Sequence, residues 1–168
     1  MSAIRSASPD DLGAIRCVHM AAFPTGIEAD LVDKLTGSGD ALISLVAEDG
    51  GRIVGHVLFS RMDVEADERV VAGMGLGPVA VLPPRQSQGI GASLIHSGLR
   101  IAESRRTDIV FVVGDPEFYQ RFGFDAATAA PFQSPYAGPH FQALVLRPGF
   151  KLPRWGRADY PAAFTELG

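Results

Sequence analysis

The sequence predicts an α/β fold, a single domain around a mixed β-sheet, and three features carry that prediction. Stretches with strand character alternate with stretches whose apolar residues recur three and four apart, the helical spacing. The wholly apolar run IVFVV at 109–113 suits a strand buried on both faces. It also closes a strand–helix–strand unit, which implies a parallel strand pair joined by a right-handed crossover. With 168 residues, 46% of them hydrophobic, the chain suffices for one compact core that removes roughly 70% of the unfolded surface from water.

The elements follow in order. AIRSA at 3–7 reads as a short strand, after which Ser8 caps a helix with Pro9 at its first position and Asp10 and Asp11 in its first turn, where the helix dipole favours acids. Leu12, Ile15, Val18 and Ala22 line one face of this helix, and Cys17 reads as a core residue beside them. FPTG at 23–26 breaks the chain before IEADLVDKL at 27–35, a second helix with Ile27, Leu31 and Leu35 four apart, stopped by Gly37 and Gly39. ALISLVAED and GRIVGHVLFSRMDV are strands joined at Asp49-Gly50-Gly51, a strong hairpin signal. RVVAGMGLGPVAVL at 69–82 is a third long strand, and a helix over 89–105 leads from it to IVFVV. EFYQRF at 117–122 is a short helix ending at Gly123, the Ala- and Pro-rich stretch 126–140 is expected to wall the substrate side, and FQALVLRP at 141–148 is a last strand. Residues 149–168 are expected to form an irregular tail whose Trp155, Tyr160 and Phe164 cover the body, so that residues 1–168 make one domain.

Composition narrows the function. Lys and Arg number 15 against 19 Asp and Glu, a net charge of -4, which supplies no basic footprint for nucleic acid or for an anionic membrane. No uncharged apolar run reaches the ~18 residues of a membrane span, and MSAIRSASPDDL lacks the layout of an export signal. A cytoplasmic protein with a small-molecule partner is expected. The one cysteine excludes an internal disulfide, and no CxxC or His/Cys cluster suggests a metal.

The chemistry concentrates in LGPVAVLPPRQSQGIGASLI at 76–95. Its QSQGIG stretch combines glycines that let backbone approach a ligand with neighbouring N–H groups and the positive end of a starting helix, features that suit a phosphate. Arg85 would add a charge-assisted contact. The alternative is that Gly89 and Gly91 only relieve crowding at a helix start. Neither a G-x-x-x-x-G-K-[ST] loop nor a dinucleotide fingerprint is present, since no third glycine follows Gly91 where that pattern needs one. Pro78 lacks the N–H that a central ladder requires, so the strand is expected to bulge or separate there, leaving groups of Gly77 to Val81 unpaired beside IVFVV. An extended molecule would lie in that gap with its phosphates on the loop.

These residues resemble the GNAT superfamily of N-acetyltransferases, whose signature loop Q/R-x-x-G-x-G/A stands here as Gln86-Ser87-Gln88-Gly89-Ile90-Gly91. Joined to FVVGDPEFYQRFGF, in which Tyr119 precedes Gly123-Phe124, the stretch is similar to the YhbS-like acetyltransferases, and the likeness in element order runs over 3–147. The resemblance implies a mixed seven-stranded sheet with helices on both faces, splayed between the fourth and fifth strands, with acetyl-CoA as co-substrate in the splay. It implies that Val79, Ala80 and Val81 meet the pantetheine arm and acetyl carbonyl, that the amides from Gln86 to Gly91 take the diphosphate, and that Ala92 and Ser93 extend the same surface. It implies attack by a primary amine on the thioester, with Tyr119 as proton donor to the departing thiolate. Tyr119 otherwise packs beside Phe118 and Phe122. Glu28 and His56 are the candidate bases; Glu28 otherwise serves the helix dipole, and His56 otherwise serves structure. Asp115 stands near where many family members carry an asparagine on CoA, a departure that leaves a turn role with Pro116 equally open. A domain that binds acyl-CoA without turnover, and an interaction module built on the aromatic tail, stay open as alternatives. The resemblance leaves the acceptor unnamed and allows a monomer or a homodimer.

Overall fold

The computed structural model describes residues 2–166; Met1 of the N-terminal segment and Leu167 and Gly168 of the tail lie outside the described residues. The strands are β1 (Ala3–Ser6), β2 (Ala41–Asp49), β3 (Arg52–Ala66), β4 (Arg69–Val81), β5 (Ile109–Val113), β6 (Phe132–Gln133), β7 (Phe141–Val145) and β8 (Gly156–Asp159). They form one sheet in the order β1-β2-β3-β4-β5-β7, with β8 joined to β3 and β6 joined to β8. Pairing is antiparallel except between β4 and β5 and between β6 and β8. The expected mixed sheet is thus present with eight strands, one more than the resemblance implies, and the addition comes from the tail. β2 covers β3 only as far as Ser60, and β8 pairs with the remaining edge from Asp63 to Ala66. Residues 149–168 are therefore not irregular throughout. An uncovered strand edge is a template for any chain that reaches it, and only the tertiary fold brings the tail there.

Among the described residues, six α-helices accompany the sheet: α1 (Leu12–Ala22), α2 (Ile27–Ser38), α3 (Ile90–Ser104), α4 (Pro116–Tyr119), α5 (Ala126–Ala129) and α6 (Ala163–Glu166). A 3-10 turn over Pro9–Asp11 precedes α1, and the amide of Ser8 donates to Asp11 Oδ2 at 2.7 Å. Arg5 holds the same carboxylate at 2.7 Å and keeps it well below the usual carboxylate range. The core of α1 is Ile15, Val18 and His19, while Cys17 is exposed. The expectation of a core cysteine fails because residues 15, 18, 19 and 22 share one helix face and 17 points off it. Ile27 is likewise 48% exposed, and α2 packs instead through Ala29, Leu31, Val32 and Leu35. Gly37 lies inside α2, which ends on Gly39 in the left-handed conformation.

The helices cover both faces. On the front, Leu94, Ile95 and Leu99 of α3 pack on Val57 and Phe59 of β3 and Leu76 of β4. On the back, α1 and α2 pack on Val46, Leu58 and Ala80, and α5, β6 and β8 close a second cluster around Phe111, Phe132 and Phe141.

The irregularity at Pro78 is the feature that matters for function. Val57 pairs with Val79 and Phe59 with Leu76, so one residue of β3 faces two of β4, a β-bulge. On its other side β4 pairs with β5 only from Gly73 to Leu76. From Gly77 onward the two strands part.

Candidate active site

The parting of β4 and β5 opens a groove of about 630 Å³, within the roughly 300–1,000 Å³ typical of small-molecule sites. Three elements line it: Val79 and Val81 from β4, the loop and first turn of α3 from Arg85 to Ala92 without Gln88, and Phe118, Tyr119 and Arg121 from α4 and the turn after it.

The loop is braced by its own side chains. Gln86 Nε2 donates to the Val81 carbonyl at 2.9 Å, Gln88 Nε2 to that of Pro84 at 3.3 Å, and Arg85 Nε to Gln88 Oε1 at 3.2 Å. Arg85 also pairs with Asp49 at 2.8 Å. Among the described residues, the amides of Ser87 to Ala92 have no hydrogen-bond partner. Part of that row is the unpaired start that every helix leaves, and Ser87 and Gly89, at φ of 63° and 83°, extend it into the loop. The result is a concave run of donors at the positive end of α3, suited to an anion. Gly91 sharpens the point, because a Cβ there would meet only Val81 Cγ2, at 3.8 Å. Nothing within the chain explains the missing side chain, and a ligand would.

Across the groove, Tyr119 packs edge-to-face on Phe118 and Phe124, with ring centroids 4.9 and 6.0 Å apart. Gly114 lets its ring lie close: a Cβ on Gly114 would come 2.5 Å from Tyr119 Cε2. Burial pushes the Tyr119 hydroxyl up to about 12, so it is protonated at neutral pH and acts as a hydrogen-bond donor.

Other candidates fall elsewhere. Ala80 is opposite His56 in the β3–β4 register, and cross-strand partners share a sheet face. Both point to the back, away from Val79 and Val81. His56 Nδ1 lies 2.8 Å from His19 Nε2, and His56 Nε2 lies 2.8 Å from Ser44 Oγ. Burial first, then the charge of His19, holds His56 down at about 3, and burial alone holds His19 at about 4. A fully buried imidazole with both nitrogens engaged is no base for the groove, so the structural role of His56 prevails. Gln88 serves as a brace, and Ser93 is exposed outside the groove lining. Asp115 caps α4, accepting from the Glu117 amide at 3.0 Å, which is the turn role rather than a groove contact.

Glu28, in the first turn of α2, has a buried Oε1 without a hydrogen-bond partner. So do the hydroxyls of Ser60 and Tyr160, two residues that each lie against Gly75: a Cβ there would be 2.7 Å from the Tyr160 ring and 3.1 Å from Ser60 Oγ. Ser60 and Gly114 carry no signal in the sequence; Arg121, two residues after Tyr119, has a positional one, and Tyr160 reads there only as a tail residue covering the body. Among the described residues no cluster of His, Cys, Asp and Glu is arranged to hold a metal.

Comparison with known proteins gives the site its context. The family model for the acetyltransferase (GNAT) domain matches residues 3–127. The chain is 34% identical over 125 residues to the Escherichia coli K12 protein named uncharacterized N-acetyltransferase YhbS, covering 74% of each chain. It is 35% identical over 148 residues, 82% of each chain, to the same organism's uncharacterized N-acetyltransferase YjhQ. Among solved structures, that of Escherichia coli YhbS in complex with CoA superposes with a TM-score of 0.86 at 28% identity, covering 99% of this chain and 93% of that one. A GNAT family acetyltransferase from Brucella melitensis in complex with acetyl-CoA gives 0.79 at 34% identity, covering 98% of both.

Proposed function

The chain belongs to the GNAT family of acetyltransferases, and from that premise we propose that it moves the acetyl group of acetyl-CoA to a primary amine by direct attack on the thioester. The observation that carries this reading is the groove at the β4–β5 parting, with a row of unpaired amides at one side and the protonated Tyr119 hydroxyl at the other. The loop amides from Ser87 to Gly91 hold the diphosphate, Ala92 continues that wall, and the Gln86 amide, which donates to the Pro83 carbonyl at 3.3 Å, stays outside the cradle. The backbone of Val79 and Val81 takes the pantetheine arm as an added strand would.

In the reaction the amine lone pair attacks the thioester carbon, the C–N bond forms, and the C–S bond breaks with its electrons on sulfur. Tyr119 donates its hydroxyl hydrogen toward that sulfur. With its hydroxyl at about 12 against a thiol of about 8.5, Tyr119 keeps its proton and stabilises the departing thiolate as a strong hydrogen-bond donor, and the thiolate takes its proton from water after it leaves. Glu28 is the proposed acceptor of the amine's proton, supported by its buried, unpartnered Oε1. No helix among the described residues is long and apolar enough to cross a membrane, and a cytoplasmic location is part of this proposal.

Thiol release from acetyl-CoA with a panel of primary amines tests it. Replacing Tyr119→Phe is expected to lower kcat about 100-fold or more while leaving acetyl-CoA affinity within about threefold. An unchanged kcat would remove Tyr119 from the chemistry, and tight acetyl-CoA binding without turnover on any amine would point instead to a binding domain.

A further inference from the structure

Arg121 is the groove's uncommitted cation. The other arginine of the lining, Arg85, is tied to Asp49 at 2.8 Å and to Gln88 at 3.2 Å. Arg121 pairs with no carboxylate among the described residues. Its Nε donates to the Phe118 carbonyl at 3.3 Å, and its guanidinium carbon sits over the Phe118 ring at 4.6 Å from the centroid. The anchored Nε and the stacked plane fix the fork, leaving both terminal nitrogens, four N–H groups, without a partner. That is the arrangement for bidentate capture of a phosphate, with little side-chain freedom left to lose on binding.

We infer that Arg121 binds the 3′-phosphate on the ribose of CoA and thereby selects CoA thioesters over the same thioesters on carriers that lack this group. The inference rests on the proposed placement of acetyl-CoA and goes beyond it. The diphosphate already has the loop amides and the end of α3. The remaining phosphate is the one anionic group of the ligand that this loop leaves unmatched, and Arg121 is an exposed cation on the opposite wall. Phe118 is the platform that keeps the fork extended.

The test is a calorimetric comparison of CoA and 3′-dephospho-CoA on the wild-type protein, Arg121→Gln and Arg121→Lys. Wild type is expected to bind dephospho-CoA about tenfold or more weakly than CoA, the value of a charge-assisted contact. Arg121→Gln is expected to lose that same factor for CoA and nothing for dephospho-CoA, and Arg121→Lys to fall between, because an ammonium keeps the charge without the fork. Retained affinity for dephospho-CoA shows at once that the variant is folded. Equal losses for the two ligands would overturn the inference, placing Arg121 on the diphosphate or the adenine, and so would no loss for either. If neither ligand binds the wild-type protein, the acetyl-CoA reading itself fails, a result distinct from both.

Discussion

The two faces of the β3–β4 hairpin treat their polar groups in opposite ways. On the back, Ser44, His56 and His19 hydrogen-bond in a row that ends on the buried, unpartnered Nδ1 of His19, and the space around them is filled by α1 and α2. On the front, a row of amides and the Tyr119 hydroxyl face a groove with no partner among the described residues. The glycines of α3 repeat the contrast on one helix face, seven residues apart. At Gly98 the missing side chain is filled by the Phe59 ring, while at Gly91 the one neighbouring atom is Val81 Cγ2, in ordinary contact at 3.8 Å. The vacancy at Gly98 is filled by the fold and serves stability; the one at Gly91 opens on the groove, where a ligand has access.

The largest effect expected from this contrast is on the back face. Both histidines have folded values below their ordinary 6.5, so the unfolded chain takes up protons that the folded chain refuses. Stability is complete above pH 6.5 and falls as the pH drops through the window down to about 4, with a loss on the order of a few kcal/mol. Carboxylate pairs such as Arg5–Asp11 begin to weaken only below about pH 5, so the upper part of the window isolates the histidines. Urea midpoints between pH 7.5 and 4.5 measure it, and the slope should vanish when both histidines are replaced by glutamine. A flat profile in the unaltered protein would mean that the pair is open to water, and the contrast between the faces would break.

Gly98→Ala should come next. Its Cβ would collide with the Phe59 ring, an overpacking cost of roughly 1–3 kcal/mol offset by up to ~1 kcal/mol of helix propensity. A net loss of about 1–2 kcal/mol in the urea midpoint, with CoA affinity retained by the folded fraction, is the expected outcome.

Most of the fold is legible in the sequence because its signals are local. Ser8 and Asp11 sit three apart, Asp49-Gly50-Gly51 spans one turn, and the anion loop follows a strand and opens a helix that starts twelve residues after Pro78. What escapes is set by partners far along the chain. His56 and Val57 are neighbours, and which of them faces the groove depends on register across the bulge at Gly77-Pro78; a one-residue slip would exchange them. His19 enters the core, and turns Cys17 outward, because its partner lies 37 residues away. β8 forms because β2 stops short of the end of β3. Arg121 is visible as a residue in the sequence, but its significance lies in pairing with no carboxylate among the described residues, and only the fold reveals that.

The smallest effect on stability, and the most pointed, belongs to Gly91→Ala. The new Cβ would sit in ordinary contact with Val81, at 3.8 Å, in the first turn of α3, where alanine is the better helix former by up to ~1 kcal/mol. The urea midpoint should therefore stay unchanged or rise slightly. CoA affinity should fall by about tenfold, because the methyl group occupies the space through which a phosphate reaches the amides. The two signs separate the explanations available for this glycine. If it only relieves crowding at a helix start, the substitution lowers stability and leaves binding alone; if it keeps the cradle open, stability holds and binding fails. Gly98→Ala, on the same helix face, is the built-in control, since there the order of the two outcomes is reversed.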